Sequence, residues 1–279
     1  MEYDFARYLA AKETVEDRAL NGHVRAALAR ALLPGPLDVL EVGAGGGAMI
    51  ARLSGREVAG GRYTVVDAAP ANAIAIRLRF PAALPVELEV VTADVYAFAA
   101  QERGRRQWDL LVAHAFLDLV DAPRLLPELF ALLRPGGYFY FPVNFDGLTA
   151  LQPVIDPPFD NEVIAVYHRT MDERRHDGRP TGGSRAGREL LTQIPAAGGE
   201  IIAAGASDWV VWPRGGAYPA DEAYFLHHML QFFESSLTGR PELDAARLRA
   251  WLVRRRAQID TGELILIVHQ LDVFGRVPG

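Results

Sequence analysis

Hydrophobic positions run through the chain in two rhythms. In residues 3–33, Leu9, Val15, Leu20, Val24, Leu28 and Leu32 recur close to the helical period with charged residues between them, which predicts helix. Pro34-Gly35-Pro36 stops that segment. From Leu37 the pattern becomes short apolar runs alternating with amphipathic stretches, as in a mainly parallel sheet covered by helices on both faces. Strands are predicted at 37–42, 63–66, 87–91, 109–113, 138–143, 200–204 (with 209–212 as its continuation) and 263–268. Helices are predicted at 48–53, 70–80, 123–133, 185–194, 221–237 and 243–259, with a short one around Val163, Val166, Tyr167 and Thr170.

The chain, 1–279, therefore reads as a single doubly wound α/β domain. It divides into an N-terminal helical segment (1–36), a β/α core (37–143), a less regular region (144–199), a helical insertion (213–260), and a last strand and tail (261–279). The insertion carries Tyr218, Tyr224, Phe225, Phe232, Phe233 and Trp251. These aromatics either form a lid over the sheet or simply pack the two helices together.

Composition narrows the partners. Half of the residues are hydrophobic and 23% are charged, enough for a sizeable core. Every apolar run is broken well short of the roughly 18 residues of a membrane span. The opening stretch alternates acids and bases, unlike a signal or transit peptide, so the default expectation is cytoplasmic. A net charge of −6 disfavours broad contact with nucleic acid, and of the arginine clusters at 103–106, 174–175 and 254–256 the first and last read as solvated helix faces. Without cysteine there is no thiolate zinc site; His227 and His228 point to different helix faces, and no His-Glu-x-x-His or Gly-x-Ser-x-Gly occurs. No metal is expected.

Candidate chemistry begins at Glu41-Val42-Gly43-Ala44-Gly45-Gly46-Gly47, a strand running into a glycine turn and then a helix. Such a turn lets backbone N–H groups, at the positive end of the helix, approach a ligand closely. Alone it also fits the dinucleotide pattern Gly-x-Gly-x-x-Gly/Ala, or mere tight packing. Three acids add to it. Glu41 would disfavour a pyrophosphate but suits a cationic amino group. Asp67, followed by Ala68, ends the second strand, where a carboxylate can accept both hydroxyls of a ribose. Asp94 follows the third strand, where it can accept from the exocyclic amine of adenine while the Val95 N–H serves a ring nitrogen.

With these residues in order, the chain resembles the class I, Rossmann-like methyltransferases that use S-adenosylmethionine (SAM). The matching positions run from Leu37 to Val143, and Leu133-Arg134-Pro135-Gly136-Gly137 resembles the family's turn before strand five. The resemblance implies a seven-stranded sheet in the order 3-2-1-4-5-7-6 with the last strand antiparallel. It also implies cofactor contacts from Glu41, Gly43, Ala44, Gly45, Gly47, Asp67, Ala68, Asp94, Val95 and His114, and S-adenosylhomocysteine as product. The helical insertion departs from the family's usual short hairpin. A SAM-binding protein without transferase activity, and a nicotinamide-dependent oxidoreductase, are the alternative readings.

The acceptor side is less defined, and a small molecule is expected there. His114, closing the fourth strand, is the candidate catalytic base, or a hydrogen-bonding or core histidine. Asn144 and His168 are candidate substrate contacts, with loop capping the alternative for Asn144 and Asp146. Arg169, Asp172 and Arg185 lie in the same region. Phe116 and Leu117 would line the wall or pack a helix, whereas Asp118 and Asp121 read as helix caps. Lys12, Asp17, Arg18 and Asn21 form a polar set that either folds over the cofactor or makes ordinary surface ion pairs.

Overall fold

The computed structural model describes residues 3–80, 84–176 and 178–279; residues 1–2 of the predicted N-terminal segment, 81–83 and 177 lie outside them. Three helices open the chain: α1 (Phe5–Ala11), α2 (Glu13–Ala19) and α3 (Gly22–Ala31). The expectation of one helix over 3–33 is thereby corrected. Leu20 and Asn21 leave helical geometry, with ψ of 126° and 113°. In exchange, the Asn21 N–H donates to Asp272 Oδ2 at 2.8 Å, and its side-chain oxygen caps α3 by accepting from the Val24 N–H at 3.0 Å. Hydrophobic spacing carries no trace of a partner at the far end of the chain.

The core follows as β1 (Leu37–Val42), α4 (Ala48–Leu53), β2 (Gly61–Asp67), α5 (Pro70–Arg79), β3 (Glu87–Thr92), α6 (Val95–Glu102) and β4 (Trp108–Ala113). A 3-10 turn at Leu117–Leu119 and α7 (Ala122–Phe130) lead to β5 (Leu133–Gln152). Then come α8 (Pro157–Asp172), a small hairpin of β6 (Arg175–His176) and β7 (Arg179–Pro180), and a second 3-10 turn at Gly183–Arg185. The chain ends through α9 (Ala186–Ala196), β8 (Glu200–Ala206), β9 (Trp209–Val211), α10 (Glu222–Leu237), α11 (Ala245–Asp260) and β10 (Ile265–Arg276).

The main sheet runs β3-β2-β1-β4-β5-β10-β8, with β9 also paired to β10. Neighbours from β3 to β5 are parallel, and β10 is antiparallel to β5, β8 and β9. This is the expected order with one addition: the continuation read at 209–212 is a separate strand on the other half of β10. Two strand ends also move. β5 continues to Gln152 and β10 to Arg276, pairing with each other across bulges at Val268/Gln270 and Leu271/Val273. Asn144 and Asp146, expected on a loop, therefore lie inside a strand. A ladder whose partner is distant in sequence sets these ends, so local pattern alone does not reveal them.

Apolar layers cover both faces of the sheet, and a third cluster joins α1, α8, α10 and α11 to the outer half of β5. In that cluster Tyr8 stacks on Phe225 at 5.8 Å and Tyr167 on Phe233 at 3.9 Å. The insertion's aromatics thus pack onto helices from two other parts of the chain, making a lid with a core of its own. Among the described residues, no helix is long and apolar enough to cross a membrane.

Candidate active site

A cleft of about 720 Å³ opens between the ends of β1, β2, β3 and β4 and the lid helices α1, α8 and α10. Eight sequence-predicted positions line it: Gly43, Ala44, Gly45, Asp67, Ala68, Asp94, Val95 and His114. The other four do not, and each departure has a physical reason.

Gly47, at φ 76°, is the N-cap of α4, and a Cβ there would press on Phe80, Ile50 and Ile76 at 3.0–3.3 Å. Its missing side chain serves helix packing. Glu41 is only 1% exposed and accepts from the Tyr63 hydroxyl at 2.8 Å. Burial pushes its carboxyl up to about 8, against the opposing effects of the Tyr63 hydrogen bond and Arg52. Burial thus works against the negative charge expected at this position. Asn144 is fully buried, its amide donating to the Phe141 and Leu271 carbonyls at 2.7 and 3.0 Å. His168 lies one layer back: its Nε2 is 3.0 Å from Thr149 Oγ1, and Thr149 lines the cleft in its place. Burial lowers the His168 pKa.

The two wall carboxylates are held by backbone. Asp67 Oδ2 accepts from the Gly45 N–H at 2.8 Å, while Oδ1 accepts from the Ala69 N–H and the Asn72 amide at 2.8 and 3.0 Å. Asp94 caps α6 through Oδ1, which accepts from the Tyr96 and Ala97 N–H groups at 2.9 and 3.0 Å. Its Oδ2 makes no hydrogen bond among the described residues, so the capping reading and the ligand reading use different oxygens of one carboxylate. Gly43, at φ 67°, is tightly approached from above: a Cβ would fall 2.2 Å from a ring carbon of Phe116, which also lines the cleft.

His114 is anchored in a buried ionic network that sequence reasoning missed. Its Nε2 lies 3.3 Å from both Arg52 Nη1 and Glu16 Oε2. That nitrogen accepts from the guanidinium or donates to the carboxylate according to tautomer, and either way it is committed to the network. Glu16, with no exposed surface, also faces Arg52 Nη2 at 3.1 Å and Lys12 Nζ at 2.9 Å. Burial opposes the Glu16 charge, but its neighbours outweigh it and hold the carboxyl well below the usual carboxylate range. Burial lowers the His114 pKa against the raising effect of Glu16. The polar set of the first helices resolves accordingly. Lys12 lines the cleft, Asp17 pairs with Arg52 at 2.7 Å, Arg18 clamps the buried Glu222 of α10 at 2.6 Å, and Asn21 caps α3. One signal was available: Lys12 is the sole lysine in a sequence with 29 lysines and arginines together.

Backbone strain gathers here too. Ala115 and Val143 have positive φ, 48° and 62°, and both line the cleft. Such angles cost roughly 1–3 kcal/mol each and persist only where the surroundings enforce them. The Ala115 N–H donates to the Pro142 carbonyl at 3.0 Å, and the Val143 N–H to the buried Asp272 Oδ1 at 2.8 Å. Asp272 thus ties the cleft floor to Asn21, at the break between the N-terminal helices.

The remaining wall is apolar and assembled from distant segments: Tyr8, Phe145, Tyr167, Trp209, Met229 and Phe232. Asp118 also lines the cleft, so its reading as a cap is corrected; the cap of α7 is Asp121, which accepts from the Arg124 N–H. Among the described residues no group of acids and histidines could hold a metal.

Residues 40–139 match the family model for a methyltransferase domain. No curated protein sequence matches the chain. Among solved structures, a protein of Bacillus halodurans C-125 assigned as a methyltransferase superimposes with a TM-score of 0.56 at 14% identity, covering 92% of this chain and 100% of the other. A SAM-dependent methyltransferase from Methanosarcina mazei gives 0.49 at 15% identity, over 89% and 96%. One from Thiobacillus denitrificans, solved with S-adenosylhomocysteine, gives 0.47 at 16% identity, over 98% and 99%. The domain match spans β1 to β5, the part of the sheet that carries the glycine turn, Asp67 and Asp94. Residues 40–139 thus carry a methyltransferase domain, on a fold shared with a protein assigned as a methyltransferase.

Proposed function

We propose that the protein transfers the methyl group of SAM to a small, largely apolar acceptor held between the sheet edge and the lid. The observation that carries this reading is that one cleft joins the glycine turn, Asp67 and Asp94 to an aromatic chamber. Its size is within the roughly 300–1,000 Å³ usual for small-molecule sites. The chemistry of the donor set fits the cofactor. Asp67, fixed by three donors, accepts from the ribose hydroxyls; the free Asp94 Oδ2 accepts from the adenine amine, and the Val95 N–H serves the ring. Lys12 supplies the cation for the carboxylate of the methionine moiety, with the turn at Gly43, Ala44 and Gly45 beneath it. His114 contributes a wall and hydrogen-bonding face rather than a free base, because its Nε2 is engaged by Arg52 and Glu16. Asn144 and Glu41 act only through the framework, and His168 only through Thr149.

The cofactor brings a methyl group already activated on a sulfonium. What the chain must do is align the acceptor and keep water away. The lid does the second with apolar side chains, and a net charge of −6 keeps nucleic acid an unfavourable partner.

Calorimetric titration with S-adenosylhomocysteine tests the reading. The wild-type protein should bind it, and Asp67→Ala should bind about 10–100-fold more weakly while remaining folded, as expected for losing charge-assisted hydrogen bonds. Unchanged affinity in the variant would remove Asp67 from the site.

A further inference from the structure

Asp118 stands out among the cleft residues because the cofactor reading gives it no task. It sits in the 3-10 turn after β4, on a backbone held by the Leu119 N–H donating to the Phe116 carbonyl at 2.9 Å and by the fully buried Leu117 side chain. Apart from a hydrogen bond from its own backbone N–H, the carboxylate has no hydrogen bond or ion pair within 4 Å to another described residue. Four groups from three neighbouring segments act on it through space: Tyr8 and Lys12 from α1 and its end, Tyr167 from α8, and Arg174 just beyond α8. All four also line the cleft. Lys12 Nζ lies 2.9 Å from Glu16 and, in the methyl-transfer reading, also serves the cofactor's carboxylate. Burial pushes the Asp118 carboxyl up, and Arg174, the residue's own backbone N–H and Lys12 only partly offset this.

A half-buried carboxylate whose one hydrogen bond comes from its own backbone is costly, and the cost is recovered when a ligand brings a further donor. Its surroundings limit that ligand. Tyr8, Phe145, Tyr167, Trp209 and Phe232 offer flat apolar surface, suited to a ring system. Resting on the methyl-transfer reading, we propose that Asp118 is the acceptor-side catalytic residue, binding the O–H or N–H of a ring-bearing apolar acceptor. In the reaction the acceptor oxygen or nitrogen forms its bond to the methyl carbon as the carbon–sulfur bond breaks. The electron pair of that bond stays on sulfur, and the acceptor's proton passes to the Asp118 carboxylate. Acceptors methylated at a carbon or thioether position, which bring no such donor, are excluded by this assignment.

The test uses the full chain loaded with S-adenosylhomocysteine, and two probes that differ by one methyl group, 2-naphthol and 2-methoxynaphthalene. Binding is followed through tryptophan fluorescence. The loaded wild-type protein should prefer the naphthol by about tenfold, the scale of one hydrogen bond to a charged group. Asp118→Asn should lose most of that preference while its affinity for S-adenosylhomocysteine stays within about twofold. With radiolabelled SAM, transfer to 2-naphthol should fall about 100-fold in the variant, a loss typical of removing a positioned proton acceptor. Equal binding of the two probes, a preference surviving in Asp118→Asn, or undiminished transfer by the variant would each overturn the proposal. Failure of the wild-type protein to bind S-adenosylhomocysteine would instead defeat the methyl-transfer reading, and this assignment with it.

Discussion

The two halves of the cleft are built on opposite principles. On the cofactor side the groups facing the ligand are backbone atoms and short carboxylates at the ends of parallel strands, fixed by neighbours close in sequence. Asp67 is held by residues 45, 69 and 72, and Asp94 by residues 96 and 97. On the lid side, large side chains from α1, β5, α8, β9 and α10 meet across most of the chain, held by stacking and by ion pairs such as Arg18–Glu222 and Arg7–Asp221. The first half presents fixed polar groups and suits one invariant ligand. The second presents volume and ring surface, which a change of a few side chains can reshape without touching the sheet.

Where the halves join, Glu16 links α2 to Arg52 of α4 and His114 after β4. The largest effect should come from breaking that joint. Glu16→Gln leaves Lys12 and Arg52 with less charge to meet them, and removing one partner of a buried ion pair costs about 3–5 kcal/mol. Urea unfolding would measure it; a loss under about 1 kcal/mol would mean that the lid is held by stacking alone. Next, Phe232→Ala should separate the halves functionally. It should lower kcat/KM for a ring-bearing acceptor about tenfold, the scale of lost aromatic burial, and leave S-adenosylhomocysteine affinity within about twofold. A matching loss of cofactor affinity would show that the halves do not act independently.

The smallest effect is a matter of pH. With its carboxyl raised to about 8, folded Glu41 holds a proton that the unfolded chain releases near the ordinary 4.5. Between those values the folded state binds more protons, so stability falls as pH rises from about 4.5 towards 8. Glu41→Gln cannot titrate. Between about pH 5 and pH 8.5 the wild-type Tm should drop a few degrees more than that of the variant; parallel curves would place the Glu41 titration outside this range.

The same contrast explains what could be read from the sequence. The turn and the two wall carboxylates rest on local features (a strand end, a glycine run, a spacing of about 20 residues), and the strand order is what the family resemblance implies. Eight of the predicted positions therefore meet in one cleft. The break at Leu20–Asn21, the length of β5 and the burial of Asn144 depend on Asp272, β10 and the Leu271 carbonyl, all far along the chain. Asp118 was legible as an acid near a helix start, but whether it caps that helix or faces a cleft is decided by α1 and α8. Glu16 looked like one more charge on a polar helix face, and only its place against α4 and His114 makes it the centre of a network.

Lys12 has a consequence for the experimenter. It carries the only side-chain amine in the sequence, and that side chain is 12% exposed, in the cleft and beside Glu16. Every other side-chain cation in the chain is a guanidinium or an imidazole. Acylating reagents therefore have a single internal target, and its reactivity reports whether the space around it is filled and whether α1 has swung aside. The fold has supplied a one-site chemical reporter of cleft occupancy, with no residue engineered to create it.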